Sequence, residues 1–287
     1  MGPAIALAVI TWYTAQHPDS PEYIMAKVAM NQDRAQEMRK AYVYHQSLLI
    51  RFKRGNGKLA REEQREYTVT PSEKGFKKDL VQFSGKYEKG GQLLDYNEPG
   101  FEYKGVDIDG SVANELADDL ANDKASRDGI SNDLFTLTGE KQKKYKFRFE
   151  GKEDYRGIEV YRITFQPKKA SLFDCDEDGG GECWAGEALI DTHEYQPVLV
   201  TTWLAKSMPK AVQILLGTNI KHLGFKVAYQ KFAEGLWFPV TYGGEFYVRG
   251  VFFYKRTIAI SAVNSGFQKS DVSSTIEFQL PETAQAK

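Results

Sequence analysis

The chain has 287 residues, with 38 basic against 39 acidic side chains and a formal net charge of −1, so no global field draws it to nucleic acid or to an anionic lipid surface. Its 17 Phe, 16 Tyr and 4 Trp, set against only 10 Pro and 25 Gly, exclude a disordered chain and suit pleated sheets. The length fits one large β-rich domain or two small ones, because single sandwiches and barrels reach about 200 to 250 residues, and the chain reads as one folded body.

The first 18 residues, MGPAIALAVITWYTAQHP, carry an apolar run from Pro3 to Ile10 that resembles a secretory h-region, but no Lys or Arg precedes it. Two readings stand: a truncated signal peptide with cleavage near Ala15, or a disordered N-terminus. Either leaves a single folded domain over 19–287. No later stretch reaches about 18 uninterrupted apolar residues, so no transmembrane segment is expected. Ser20 and Pro21 then read as an N-cap and first helical residue, and the next stretch brings Ile24, Val28, Ala35, Met38 and Tyr42 to one side of a long helix.

From about residue 44 the period changes to two. Tyr44, Gln46, Leu48, Ile50 and Phe52 alternate with polar or exposed positions until GNG at 55–57 turns the chain. The return strand sets Arg61, Glu63, Arg65, Tyr67 and Val69 against Glu62, Gln64, Glu66 and Thr68, which reads as a hairpin with a largely solvated outer end. Between Pro71 and Ile130 the pattern weakens, with strand signal only near Leu80–Phe83 and Leu93–Tyr96 and an acidic helix in SVANELADDLAND. This stretch is expected to cover one side of a sheet.

Alternation resumes in KYKFRFEG, where Tyr145, Phe147 and Phe149 share a face, and GIEVYRITFQP returns after a turn at Arg156 and Gly157. Further hairpins follow in GEALIDTHEYQPVLVTTWLA, LGFKVAYQKFAEGLWFPVTY and EFYVRGVFFYKRTIAISAV, and STIEFQL offers one more strand. The apolar run Val212, Ile214, Leu215 and Leu216 reads as a helix or loop laid over the sheet. Ten to twelve strands in consecutive hairpins imply an antiparallel meander. A ribbon that long must curl into a partial barrel, which either fills with side chains or keeps an apolar cavity.

Motifs for chemistry are sparse. There is no GxSxG, HExxH or P-loop, and the four histidines give little means for acid–base work. Asp191 and His193 form half of a triad on paper, although an Asx-type turn between two strands explains the same residues. Asp174, Asp176 and Asp178, with Gly179, spell the opening of a calcium loop, but position twelve is Ala185, so a solvated hairpin tip is preferred and no metal or other cofactor is expected. Cys175 and Cys183 flank that loop and are close enough in sequence to form a disulfide in an oxidising compartment; two reduced thiols fit the same spacing. Basic residues alternate with aromatics from Lys141 to Lys169, but on a strand the two sets face opposite ways, so stacking of nucleic-acid bases is not expected.

The order of segments resembles the outer-membrane lipoprotein carrier (LolA) superfamily, particularly its long bacterial members. A helix runs into YVYHQSLLIRFKRGNGKLAREEQREYTVTP, followed by DGISNDLFTLTGEKQKKYKFRFEGKEDYRGIEVYRITFQPK, WAGEALIDTHEYQPVLV and GLWFPVTY. The motifs are Trp184, Gly186, Ile190, Asp191, Pro197 and Val198, then Trp237 and Pro239, in a match over roughly residues 22 to 280. The resemblance implies an α+β, mostly β fold: an incomplete (half) β-barrel with an N-terminal helix and short helices over its concave face. It further implies a non-enzymatic protein of the periplasm or bacterial cell envelope whose apolar cavity binds lipid or lipoprotein acyl chains. The expected lining is Leu48, Ile50, Phe147, Phe149, Ile190, Val200, Phe225, Val227 and Trp237. The family's functional arginine has no local motif here, Arg51 being merely in the right neighbourhood. Two alternatives remain: an envelope module that docks a protein partner through the same fold, and a hydrolase built on Asp191 and His193.

Overall fold

The computed structural model describes residues 19–72, 75–103, 107–121, 126, 129–130, 137–170, 182–206, 219–221, 224–250 and 254–270. The candidate signal segment, the calcium-loop residues Asp174, Asp176 and Asp178, Cys175, the run from Val212 to Leu216 and the strand STIEFQL all lie outside them.

Helix α1 spans Pro21–Arg39; the Ser20 hydroxyl accepts a hydrogen bond from the Tyr23 amide at 3.2 Å, and Pro21 opens the first turn, the cap and proline expected there. Its buried side comprises Ile24, Met25, Val28, Gln32, Ala35 and Arg39. Met38 is half-buried, and Tyr42 already belongs to the first strand. The polar Gln32 and Arg39 therefore face inward where an unbroken apolar stripe was expected.

Strand β1 (Tyr42–Arg54) and β2 (Leu59–Ser72) form the GNG hairpin, with Gly57 at φ 80°. The chain continues through β3 (Gly75–Lys89) and β4 (Gln92–Tyr96), crosses by helices α2 (Ile108–Ala121) and α3 (Gly139–Gln142), and enters β5 (Tyr145–Tyr155). It then passes through β6 (Ile158–Pro167), β7 (Trp184–Asp191), β8 (Pro197–Leu204), β9 (Asn219–Lys221), β10 (Lys226–Ala233), β11 (Leu236–Arg249) and β12 (Lys255–Lys269). All belong to one antiparallel sheet in the order β4-β3-β2-β1-β12-β11-β10-β8-β7-β6-β5, with β9 beside β11. The sheet does not close into a barrel. It is built as two meanders, joined where β1 pairs with β12.

Two segments differ from expectation. The weakly patterned stretch after Pro71 includes a strand of 15 residues, β3, most of whose positions are exposed or half-buried; its covered face is mainly Phe83, Gly85 and Tyr87 against Tyr96, too short a run to give a hydrophobic period. And the outer end of the β1–β2 hairpin is not solvated, because Arg61, Glu63 and Arg65 are all buried.

Alternation sets one face of the sheet against the helices. Leu48, Ile50 and Phe52 of β1 lie beside Ala262, Ile260 and Ile258 of β12, and the same face continues through Tyr242 and Phe246 of β11. On the other half, Tyr161, Ile163 and Phe165 of β6 sit beside Ile190, Ala188 and Gly186 of β7. Gly186 is required there, since a Cβ would stand 2.2 Å from Phe165 Cζ and 2.4 Å from the Thr201 carbonyl oxygen. Gly186→Ala is accordingly expected to cost about 1–3 kcal/mol through overpacking, measured as a lower urea midpoint with an unchanged slope.

Candidate functional site

All nine expected lining residues belong to one apolar cluster. Leu48, Ile50, Ile190, Val200, Val227 and Trp237 are buried in it, and Phe147, Phe149 and Phe225 are partly buried and pack against it. The cluster is capped from above by Ile24, Met25 and Val28 of α1 and by Ala113, Ala117 and Leu120 of α2. The inner face is thus a continuous apolar surface under a helical cover.

The cover is fastened by polar groups. The turn between β7 and β8 holds Glu194, whose carboxylate accepts from Lys231 Nζ, from Trp237 Nε1 at 2.8 Å and from the Gly235 amide. Its carbonyl accepts from Asn31 Nδ2 on α1 at 2.6 Å. Those donors hold the Glu194 carboxyl below its ordinary pKa although partial burial opposes them. Further along α1, Gln32 Nε2 donates to Gln196 Oε1 at 2.5 Å and Arg39 Nη1 to the Trp237 carbonyl at 3.0 Å. Gln32 Oε1 is buried and has no hydrogen-bond partner among the described residues. A buried acceptor left unpaired costs about 1–3 kcal/mol.

The turn that presents Glu194 is shaped by Asp191, whose Oδ1 accepts from the amides of His193 at 2.9 Å and Glu194 at 2.5 Å. Asp191 is therefore an Asx-turn acceptor and does not orient the imidazole. His193 is exposed, its Nδ1 3.1 Å from Thr192 Oγ1, which also reaches Glu159 Oε2. The two residues do not form an acid–base relay.

A charged network, missed in the sequence, closes the β2 end of the inner face. Arg61, Glu63 and Arg65 are 1%, 0% and 4% exposed. Glu63 accepts from Arg61 Nε at 3.0 Å and Arg65 Nη2 at 2.6 Å, and from the Tyr96 hydroxyl at 2.7 Å. Arg61 Nη1 reaches Asp107 Oδ2 at 2.6 Å, ahead of α2, and Arg65 Nη2 reaches Asn114 on that helix at 2.6 Å. Burial works against the Asp107 carboxylate, but the amides of Tyr103 and Gly110 and the charge of Arg61 hold its pKa below the ordinary value. One signal was available: Arg, Glu and Arg on alternate residues share the parity of Tyr67 and Val69, so Glu63 offsets one of the two arginines on that face, and Asp107 supplies the second carboxylate. By contrast Arg51 lies on the exposed face, paired with Glu62.

A second polar knot lies where β7 begins. Glu182 accepts from Tyr145 Oη at 2.9 Å and pairs with Lys144 at 2.9 Å and Lys141 at 3.2 Å. The adjacent Cys183 is disulfide-bonded.

Two cavities open at the margins of the cluster. One, of about 420 Å³, is lined by Thr201–Trp203, Gly224–Lys226 and Gly243–Glu245. It lies where β8 and β10 pair over just three positions, from Lys226 opposite Thr201 to Ala228 opposite Leu199. Glycine lets backbones close in there: a Cβ on Gly244 would stand 2.1 Å from the Gly224 oxygen. Trp203 is 42% exposed at its mouth. The other, of about 280 Å³, lies beside the start of α2, among Arg54, Arg61, Asp107, Asp109 and Arg256.

No protein-family model matches the chain, and no curated protein does. Among solved structures it is similar to a domain assigned to outer-membrane lipoprotein sorting from Vibrio parahaemolyticus, at 9% identity and a TM-score of 0.36 over 86% of this chain and 94% of that one. It is also similar to a LolA superfamily protein from Nitrosomonas europaea, at 11% identity and 0.34 over 88% and 94%. A third likeness is to a DUF1329 family protein from Desulfovibrio piger, at 14% and 0.33 over 87% and 95%. The Nitrosomonas protein belongs to the superfamily that the sequence resembles.

Two outcomes follow for the charged groups. Glu63→Ala leaves the buried Arg65 without its carboxylate and Arg61 with only the Asp107 carboxylate, and is expected to cost about 3–5 kcal/mol, read from urea unfolding. Burial opposes ionisation of Glu182, yet Lys141, Lys144 and the Tyr145 hydroxyl hold its pKa below the ordinary 4.5. The stability it contributes is thus fully present above pH 4.5 and is lost as the pH falls through the lowered folded-state value. Glu182→Gln should flatten that acid limb of the stability profile and leave the slope near neutrality unchanged.

Proposed function

We propose that this protein binds lipid or lipoprotein acyl chains on the inner face of its open sheet and carries them within the bacterial periplasm or envelope, without catalysing a reaction. The observation that carries this reading is the continuous apolar surface from β5 to β1 beneath a helix that packs on it through Ile24, Met25 and Val28 and is pinned by polar latches. When α1 lifts, a hydrocarbon chain replaces Ile24, Met25 and Val28 against Leu48, Ile50, Phe147, Phe149, Ile190, Val200 and Val227. Each methylene moved out of water contributes about 0.8 kcal/mol, with little discrimination among chains. Lifting α1 also releases the unpaired Gln32 acceptor to solvent, which offsets part of the cost of exposing the sheet.

The 420 Å³ cavity supports the same reading. Its volume falls within the roughly 300–1,000 Å³ of small-molecule sites, and Phe225 and Trp203 give it hydrocarbon walls at the side of the sheet. Trp237 serves from the periphery, its indole nitrogen engaged on the Glu194 latch.

Mass spectrometry of an organic extract of the purified protein should find bound fatty acid or phospholipid, and the delipidated protein should take up a fluorescent fatty acid. Glu194→Ala, which removes the latch, should speed that uptake. Protein that is free of lipid and takes up no acyl probe in either form overturns the reading.

A further inference from the structure

We propose that the 280 Å³ pocket beside the start of α2 binds the zwitterionic head group of a phospholipid, a phosphate joined to an ammonium. The inference rests on the acyl-binding reading above and names the class of lipid.

Position is the first ground. Along β1 and β12 the inner-face pairs run Ile50 with Ile260, Phe52 with Ile258 and then Arg54 with Arg256. Two apolar rows thus end in two guanidinium groups at the wall of the pocket. An amphiphile laid along these rows brings its polar end there.

Charge is the second. Arg54, Arg61 and Arg256 line the pocket against Glu88, Asp107 and Asp109, three cations to three carboxylates. The pairs are specific: Arg54 with Glu88, Arg61 with Asp107 at 2.6 Å, and Arg256 Nε with Asp109 at 2.9 Å. A site with no net charge gains little from a simple anion or cation, whereas a dipolar group meets a partner for each of its ends. The planar fork of Arg54 carries donors beyond the one spent on Glu88 and matches phosphate oxygens.

The third ground is the aromatic wall. The ring centroids of Tyr87 and Tyr103 stand 4.9 Å apart, and cations of the protein already lie over two of the pocket's rings, Arg256 over Tyr254 at 4.9 Å and Lys89 over Tyr103 at 5.0 Å. Such rings stabilise an ammonium at their faces. Volume fits as well, because about 280 Å³ accepts a compact polar group and not a long chain. Finally, the Arg61 pair is buried while the Arg54 side chain stays exposed, so the pocket has a fixed inner wall and a cation within reach of an incoming group.

The test is calorimetric titration of the delipidated protein with phosphocholine, inorganic phosphate, a short-chain phosphatidylcholine and a fatty acid of matching length. The expected result is binding of phosphocholine, weaker or no binding of phosphate, and phosphatidylcholine tighter than the fatty acid by about tenfold or more. Arg54→Ala and Tyr103→Leu should each remove that advantage and leave fatty-acid affinity unchanged, which also shows that the variants are folded. If the fatty acid binds but phosphocholine does not and phosphatidylcholine gains nothing, the head-group site is refuted and the carrier reading stands. Phosphate binding as tightly as phosphocholine likewise refutes a zwitterionic site. If no acyl compound binds, the carrier reading falls; phosphocholine binding lost in Arg54→Ala would still establish the pocket.

Discussion

The ladder between β1 and β12 is the constraint on which the rest of the structure depends. It runs from Tyr42 opposite Lys269 to Arg54 opposite Arg256 and is the single seam between the two meanders. Its register decides which side chains face the helices, since a slip of one residue would turn Leu48, Ile50 and Phe52 outward and Leu49 and Arg51 inward. A buried amide pair marks the register: Gln46 Nε2 donates to Asn264 Oδ1 at 3.0 Å, and Asn264 Nδ2 donates to the Pro239 carbonyl at 2.9 Å. Neither amide finds equivalent partners in a shifted sheet.

Once the seam is set, the inner face becomes one apolar surface, and two kinds of polarity act on it. The latches on α1 satisfy single groups at the boundary between helix and sheet. The network on β2 is larger and self-contained, with Glu63 shared between two arginines and a tyrosine hydroxyl. Burial, the Glu63 hydrogen bond and the Glu63 charge raise the Tyr96 pKa well above the ordinary phenol value despite Arg61 nearby, so Tyr96 remains a neutral donor at any physiological pH. The face therefore has a hydrocarbon middle and a charged end whose polar groups are mutually satisfied.

Much of this was legible in the sequence where local chemistry is decisive. Ser20 and Pro21 fix the start of α1, the GNG turn fixes the first hairpin, and Arg156 with Gly157 fixes the β5–β6 turn through positive φ values of 56° and 83°. The nine residues expected to line a cavity fall in or against one apolar cluster, a grouping that strand alternation makes legible. Long-range pairing leaves no such trace: no period in YVYHQSLLIRF names β12 as its neighbour. Strand β3 was hidden because its ring-to-ring contacts among the described residues are confined to Phe83 and Tyr87, and sheet hydrogen bonds define most of the rest of it. The buried arginines were misread for the opposite reason, since charge on alternate positions ordinarily means water, and only their partners beyond β2, Asp107 and Asn114, make burial tolerable. Gln32 and Arg39 were missed on α1 for the same reason.

The seam also orders events in time. Tyr42 and Lys269 pair although most of the described strands lie between them in the chain, so the surface shared by the two meanders cannot form until β12 has been made. Contacts so distant in sequence slow folding and leave strand edges bare meanwhile. Until β12 arrives, a nascent copy of this protein has β1 paired with β2 on one side and open along its other edge, and chaperones or aggregation compete for that edge in the interval.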